Sequence, residues 1–217
     1  RIMEKTRYQM LTQNTGSSAS KPVSRLFLRA ALPHPKRLRL GAQVIRLYQR
    51  SGLQKLVRNS KVLRLIPGNL AGLESQLPNM RGHFFSSSKE TFRARGLPEG
   101  APPKLTVGLL SGCVMPLVQG DTMAATVRVL TRNGCDVVVP VGQGCCGALN
   151  VHGGDWEYGR IMARRNIDAF LNAGIDALVV ASAGCGSTMK EYGDLLADDP
   201  AYAERARRLS SMVVDIT

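Results

Sequence analysis

The stretch that decides the fold is Asp136-Val137-Val138-Val139-Pro140-Val141-Gly142-Gln143-Gly144-Cys145-Cys146-Gly147. A short, β-branched apolar run with no helical periodicity reads as a buried strand over Asp136–Pro140, and the glycine-rich segment behind it reads as the loop at the strand's end. Two other segments repeat this grammar. Lys104–Leu110 is an apolar run followed by Ser111-Gly112-Cys113-Val114, and Asp176–Ala181 is followed by Ala183-Gly184-Cys185-Gly186. A fourth strand is expected over Met212–Ile216. Between the strands, Asp121–Asn133 carries Met123, Val127 and Leu130 at helical spacing and stops at Gly134. Trp156–Asn172 stops before Gly174, and helical segments follow near Met189–Ala197 and Ala201–Leu209. This β-α-β-α-β-α-β alternation predicts an α/β fold with a mostly parallel sheet and flanking helices, joined by right-handed crossovers. In such a sheet the segments past the strand ends gather at one edge. Cys113, Cys145, Cys146 and Cys185 are therefore expected around one hollow.

Thiolates are soft ligands that favour iron–sulfur clusters and zinc. Glycines beside the cysteines let backbone N–H groups approach the sulfurs, and helix N-termini would stabilise their charge. The competing reading of Cys145 and Cys146 is a buried pair of small apolar side chains, and Cys113 and Cys185 share whichever fate they have. Cys135 stands before the second strand, at the wrong end to join the others, and is read as structural. His152 is read as a loop histidine bonded to backbone, while His34 and His83 belong to no constellation. Asp155 is read as the N-cap of the helix beginning at Trp156. Glu191 and Tyr192 follow Cys185 on an expected helix, where lining the pocket and helix solvation and packing are both open to them. Gly142-Gln143-Gly144-Cys145-Cys146-Gly147 spells a dinucleotide-binding fingerprint, but no helix pattern opens behind it, so the match is a coincidence of letters. Neither a Ser-His-Asp arrangement nor a Walker loop is present.

The first half differs in composition. Residues 1–104 hold 20 Lys and Arg against 4 Asp and Glu, whereas residues 105–217 hold 9 against 12, so the basic first half supplies the whole net charge of +13. A helix end is expected over Arg1–Leu11, a linker over Thr12–Lys21 and a short helix over Pro22–Leu32, broken by Pro33-His34-Pro35. An amphipathic helix follows over Lys36–Arg50, with Leu38, Ala42, Ile45 and Tyr48 on its apolar face and a basic face opposite; Gln54–Leu65 continues as helix. Residues 66–104 read as irregular. Gly96–Pro103 marks a boundary between a basic helical connector (1–103) and an α/β unit (104–217). Such a basic half suits an acidic protein partner or an anionic membrane surface. Nucleic acid is disfavoured, because aromatic residues are few and no recognition motif is present. The five cysteines do not resemble a secreted disulfide framework, which points to a reducing, cytoplasmic compartment, with peripheral attachment at the inner face of the membrane left open. The start at Arg1 and the end within an apolar run read as a piece of a longer protein.

Cys113, then Cys145-Cys146 after 31 intervening residues, then Cys185 after 38 more, resembles the cysteine-rich CCG domain found in heterodisulfide reductase and in the iron–sulfur subunit of glycolate oxidase. Gly144-Cys145-Cys146-Gly147-Ala148-Leu149 and Gly184–Gly193 are most similar to the latter, and Ala31–Arg37 is similar to its connector. The resemblance runs from about Val23 onward and is specific from Val107 to Gly193. It implies an iron–sulfur electron-transfer subunit, with Cys113, Cys145, Cys146 and Cys185 as ligands and [4Fe-4S] clusters in the parent protein. A separate FAD-binding flavoprotein subunit would oxidise glycolate to glyoxylate and pass electrons through this subunit toward a quinone or another acceptor. The fragment alone is not expected to be catalytic. The family's last motif is Cys-x-x-Cys, and its second cysteine is Thr188 here. This departure argues against a five-cysteine cluster performing thiol–disulfide chemistry, as in heterodisulfide reductase. Two alternatives stand beside this reading: a heterodisulfide-reductase-like thiol/disulfide redox subunit, whose reactive site would lie in a second repeat, and a noncatalytic zinc-binding assembly module.

Overall fold

The computed structural model describes residues 6, 9, 28–60, 62–64, 69–80, 82–98 and 100–216. The expectations for Arg1–Leu11, Thr12–Lys21 and most of Pro22–Leu32 lie outside these residues. Four strands, β1 (Leu105–Leu109), β2 (Cys135–Val138), β3 (Ala177–Val180) and β4 (Val213–Asp215), form one parallel sheet in the order β2-β1-β3-β4. The register pairs Val107 with Val137 on one side and with Ala177 on the other. Because β1 is central and the connections leave it in opposite directions, the strand order reverses between β1 and β3. That switch leaves a crevice at the carboxyl edge of the sheet.

Both faces of the sheet are covered, so its strands read as continuous apolar runs rather than as alternating ones. On one face Val107, Leu109, Val137, Val139 and Val179 pack against Met123 and Val127 of α5 (Gly120–Arg132). On the other, Leu178 and Val180 pack against Ala163, Ile167 and Phe170 of α7 (Trp156–Leu171), and against Ala206 and Leu209 of α10 (Ala203–Ser211). Gly108 lies in the middle of β1, where an added Cβ would stand 2.9 Å from Ile175 Cδ1 and 3.0 Å from Phe170 Cδ1. The missing side chain is what lets the Phe170 ring, fully buried, lie on the sheet.

The helices differ from expectation where they are short. Besides α5, α7 and α10, the chain forms α4 (Met115–Val118), α6 (Ala148–His152), α8 (Ala183–Lys190) and α9 (Tyr192–Leu195). A helix does open behind Gly147, which takes φ 86° just before it, and its five residues are too few to show a periodicity. His152 therefore ends a helix and is not a loop residue. Cys185 likewise lies within α8 rather than in a loop, and the helix expected at Met189–Ala197 is divided between α8 and α9. Ala-Gly-Cys-Gly is a poor helix former. The segment is helical because small residues let it sit close to the sheet, with Gly186 near Val180 and its N–H bonded to Ser182 O.

The connector forms α1 (Pro35–Arg50) and α2 (Leu53–Ser60), followed by a 3-10 turn at Val62–Arg64. Residues 66–104 are not irregular throughout. Leu70–Ser75 forms α3, capped by Asn69, and Phe92 exchanges both backbone hydrogen bonds with Val137. Ser88 N–H also bonds Val139 O, and buried Asp136 binds Arg93 and Ala94 N–H at 2.8 and 2.7 Å. This segment covers the free edge of β2, which would otherwise present unpaired backbone groups.

Gly108→Val places two methyl groups against Phe170 and Ile175 and is expected to destabilise the fold by about 1–3 kcal/mol. Chemical denaturation checks this, and an unchanged midpoint would show that the Phe170 layer is not held against β1.

Candidate metal centre

Three local devices deliver the four strand-end cysteines. Gly112 takes φ 68° and turns the chain after β1, so that Cys113 faces back over the sheet edge. After β2, buried Gln143 ties the second loop to the first: its Oε1 accepts from Ser111 N–H at 2.7 Å and its Nε2 donates to Leu109 O at 3.1 Å. Cys185 stands in the first turn of α8, directly after β3.

The vicinal pair is held by a polar clamp. Asn166, fully buried on α7, accepts from Gly144 N–H at 2.9 Å and donates to Cys145 O at 2.9 Å and to Tyr192 Oη at 3.2 Å. Tyr192 Oη, also fully buried, donates to Cys146 O at 2.7 Å. Two side chains thereby satisfy three consecutive residues of a loop that no sheet or helix ladder could satisfy. Asn166 escaped the sequence reading, although it left a signal: it is the one Asn on the apolar stripe Met162, Ala163, Ile167, Phe170. Tyr192 does pack, and it also anchors the loop.

The structure brings Cys113, Cys145, Cys146 and Cys185 together and leaves Cys135 out. Cys135 is the first residue of β2, packed on the other face of the sheet. Neighbouring thiols interact in series, Cys113 with Cys145, Cys145 with Cys146 and Cys146 with Cys185. Cys145 and Cys146 are buried, and Cys113 and Cys185 are half-buried. All five cysteines are free thiols. Among the described residues no three His, Cys, Asp or Glu side chains stand in an arrangement that could hold a metal ion as they are. The sulfurs hydrogen-bond to one another instead.

The protonation pattern follows from these interactions. Cys145 is held below the ordinary thiol range because Cys113 and Cys146 donate to it, with a further bond from Gly147 N–H. The same bonds, together with burial, push Cys113 and Cys146 up. Cys185 is lowered by the Cys146 thiol and by the Ser182 hydroxyl. Four thiols this close share protons, because like charges in a dry site cannot all form without a cation. In donor type the set suits a thiophilic metal. Four sulfurs converge from three loops, and Val114 N–H, Gly147 N–H and the Ser182 hydroxyl already point at Cys113, Cys145 and Cys185. Thr188, where the resemblance expects a fifth cysteine, lies one turn after Cys185 and bonds Gly184 O at 3.1 Å.

The connector closes over this centre. Leu32 packs with Cys145 and Met162, and Leu28, Leu38, Cys113 and Tyr158 surround them. Asp155 stands at the N-cap position of α7, but its carboxylate does not cap the helix. It takes a two-pronged ion pair from Arg29 at 2.7 and 2.8 Å, while Tyr158 Oη donates to Arg29 O. A charge-assisted pair with a connector arginine outcompetes a local backbone N–H. His83 faces Asp121 at 3.2 Å, with both side chains exposed.

A parallel sheet with a thiol cluster at its switch point defines a cysteine-rich α/β domain. Residues 107–190 match the family described as "Cysteine-rich domain" (CCG), and residues 19–77 match the linker region of the glycolate oxidase iron–sulfur subunit. Residues 19–77 and 107–190 are thus similar to the linker and the cysteine-rich domain of glycolate oxidase iron–sulfur subunits. The chain is 37% identical over 217 residues to the "Probable glycolate oxidase iron-sulfur subunit" of Bacillus subtilis, covering all of this chain and 48% of that protein. It is 36% identical over 170 residues to the "Glycolate oxidase iron-sulfur subunit" of Escherichia coli, covering 77% of this chain and 41% of the relative. "Lactate utilization protein A" of Bacillus licheniformis is 35% identical over 113 residues, covering 52% of this chain and 47% of that protein. The chain spans about half the length of the curated relatives it matches. No solved structure matches it.

Asn166→Ala leaves Gly144 N–H and Cys145 O buried without their partner and is expected to cost about 3 kcal/mol; Tyr192→Phe is expected to cost about 1–2 kcal/mol. Denaturant titration of the two variants checks the ranking, and losses below about 0.5 kcal/mol would remove the clamp from the account.

Proposed function

We propose that this chain is part of the iron–sulfur subunit of a flavin-linked 2-hydroxy-acid oxidoreductase of the glycolate type, and that Cys113, Cys145, Cys146 and Cys185 hold an iron–sulfur cluster of the [4Fe-4S] kind. When bound, the cluster supplies one-electron storage between a two-electron flavin oxidation and an acceptor such as a quinone. The observation that carries the reading is the convergence of four thiols from three strand ends, with N–H and O–H donors already aimed at three of the sulfurs. Such donors lower the cost of gathering several negative sulfurs in a nearly dry site. Gln143, Asn166 and Tyr192 fix the backbone of the ligand loops, and Leu32 keeps water from Cys145. The relatives' printed names support the glycolate class and the redox assignment.

The connector is read as the docking face for the flavoprotein subunit. The basic face expected on α1 also carries Leu40, Val44 and Leu47, which are 64%, 63% and 69% exposed, on the side opposite buried Ala42 and Gln49. A helix that is apolar on two opposite sides is enclosed when assembled. Cations flanking an apolar stripe suit an acidic protein rim as well as anionic lipid, and the relatives' printed description as subunits supports the protein partner. No helix among the described residues is long and apolar enough to cross a membrane.

Anaerobic reconstitution with iron and sulfide is expected to give a brown protein with charge-transfer absorption and an EPR signal on reduction or oxidation, and Cys145→Ser is expected to lose both. A colourless protein that takes up one zinc and no iron would overturn the assignment. Leu40→Glu combined with Leu47→Glu, on exposed positions, is expected to weaken binding of the full subunit to its flavoprotein by about ten-fold or more. If flavoprotein binding is unchanged while flotation with anionic phosphatidylglycerol vesicles is lost, lipid is the occupant of this face and the docking assignment is wrong.

A further inference from the structure

A cavity of about 570 Å³ opens between the start of α1 and the loops after β1 and β2, and its lining includes Cys113. Its size is that of a cofactor or metabolite site. Its walls are chemically divided. Phe85, Leu117 and Val141 give it an apolar side, and Ser87 and Ser111 add hydroxyl groups. Lys36, Arg37, Arg39 and Arg165 surround it, and no described Asp or Glu lines it. Elsewhere in the structure several arginines are paired with carboxylates, among them Arg29 with Asp155, Arg58 with Glu74, Arg93 with Asp136, Arg164 with Asp199 and Arg205 with Asp168. Among the described residues none of the four cavity cations has an acidic partner.

The cations are also positioned. Arg165 donates to Gly142 O at 2.8 Å and to Pro33 O at 3.1 Å, fixing its guanidinium at the seam between connector and domain. Arg37 donates to Ala30 O at 2.9 Å, and Arg39 to Ser86 Oγ. Each bond engages a neutral oxygen and leaves the guanidinium charge uncompensated. The sixteen-residue α1 adds its positive N-terminal end on the same side. Four like charges around one partly enclosed, partly apolar space make the empty state electrostatically unfavourable and favour an anionic occupant.

We propose that this cavity binds a small anionic molecule, an apolar body bearing a phosphate or carboxylate group, with the anion held by Lys36, Arg37, Arg39 and Arg165 and the body lying against Phe85, Leu117 and Val141 beside Cys113. The proposal goes beyond the redox reading and does not require a metal. Binding is measured on the metal-free chain, so failure here and failure of cluster assembly are separate results.

The test compares three probes that share one ring system: 1-naphthyl phosphate, 1-naphthoate and uncharged 1-naphthol. Calorimetric titration of the metal-free chain is expected to show one site for at least one of the two anions, bound about ten-fold or more tightly than the naphthol and weakened by added salt. Which anion wins identifies the phosphate or the carboxylate source. Bound anion is expected to slow iodoacetamide labelling of Cys113, read by mass spectrometry, and to leave Cys135 unaffected. Lys36→Gln with Arg37→Gln, both exposed, is expected to weaken the anion by about ten-fold while the far-ultraviolet circular dichroism stays the same. Val141→Trp, which fills the cavity, should abolish binding, and Lys55→Gln, outside it, should change nothing. Equal binding of anion and naphthol, absence of binding by all three, or binding untouched by the Lys36/Arg37 and Val141 changes would each overturn the proposal.

Discussion

The structure depends on how one short loop satisfies its backbone in a dry place. Gly144, Cys145 and Cys146 lie at the buried carboxyl edge of a parallel sheet, beyond the last ladder hydrogen bond and before a five-residue helix. A buried N–H or C=O left without a partner costs about 1–3 kcal/mol, so the loop could not sit there unaided. Asn166 and Tyr192 reach it from two different helices and supply the missing partners. That polar clamp orients the vicinal thiols toward Cys113 and Cys185. The core of α7, the placement of α9 and the closure of the connector through Leu32 are arranged around it.

The sulfur cluster and the basic connector are two parts of one electrostatic design. Four neighbouring thiols cannot all ionise without a cation, and the protein supplies only partial compensation through N–H and O–H donors. The connector brings positive charge close by. Arg29 is engaged by Asp155 and fastens the connector to the domain, whereas the cations around the cavity beside Cys113 stay without carboxylate partners. Among the described residues, the Lys and Arg of the connector are thus divided between holding it down and presenting charge outward.

Much of this was legible from the residues. The runs within Lys104–Leu110, Asp136–Pro140 and Asp176–Ala181 read as strands because a sheet covered on both faces needs apolar sequence there. The order of strand, glycine and cysteine then placed four thiols at one edge. Other features were invisible for physical reasons. The helix carrying Cys185 has almost no intrinsic propensity and is formed by packing on Val180. Asp155 sits where a cap belongs, but an arginine 126 residues away claims it. Leu40, Val44 and Leu47 were hidden because α1 is apolar on two sides, and the stronger stripe drew the eye to the buried one. Asn166 could be suspected only by asking why an amide stands in an apolar row.

The central claim is that Cys113, Cys145, Cys146 and Cys185 act as one donor set for iron. Iron-edge X-ray absorption of the anaerobically reconstituted chain measures this most directly. The account predicts a first shell made of sulfur with a neighbouring iron scatterer, both lost when Cys146 is replaced by serine. A first shell of oxygen or nitrogen, or a sulfur shell indifferent to that substitution, would contradict it.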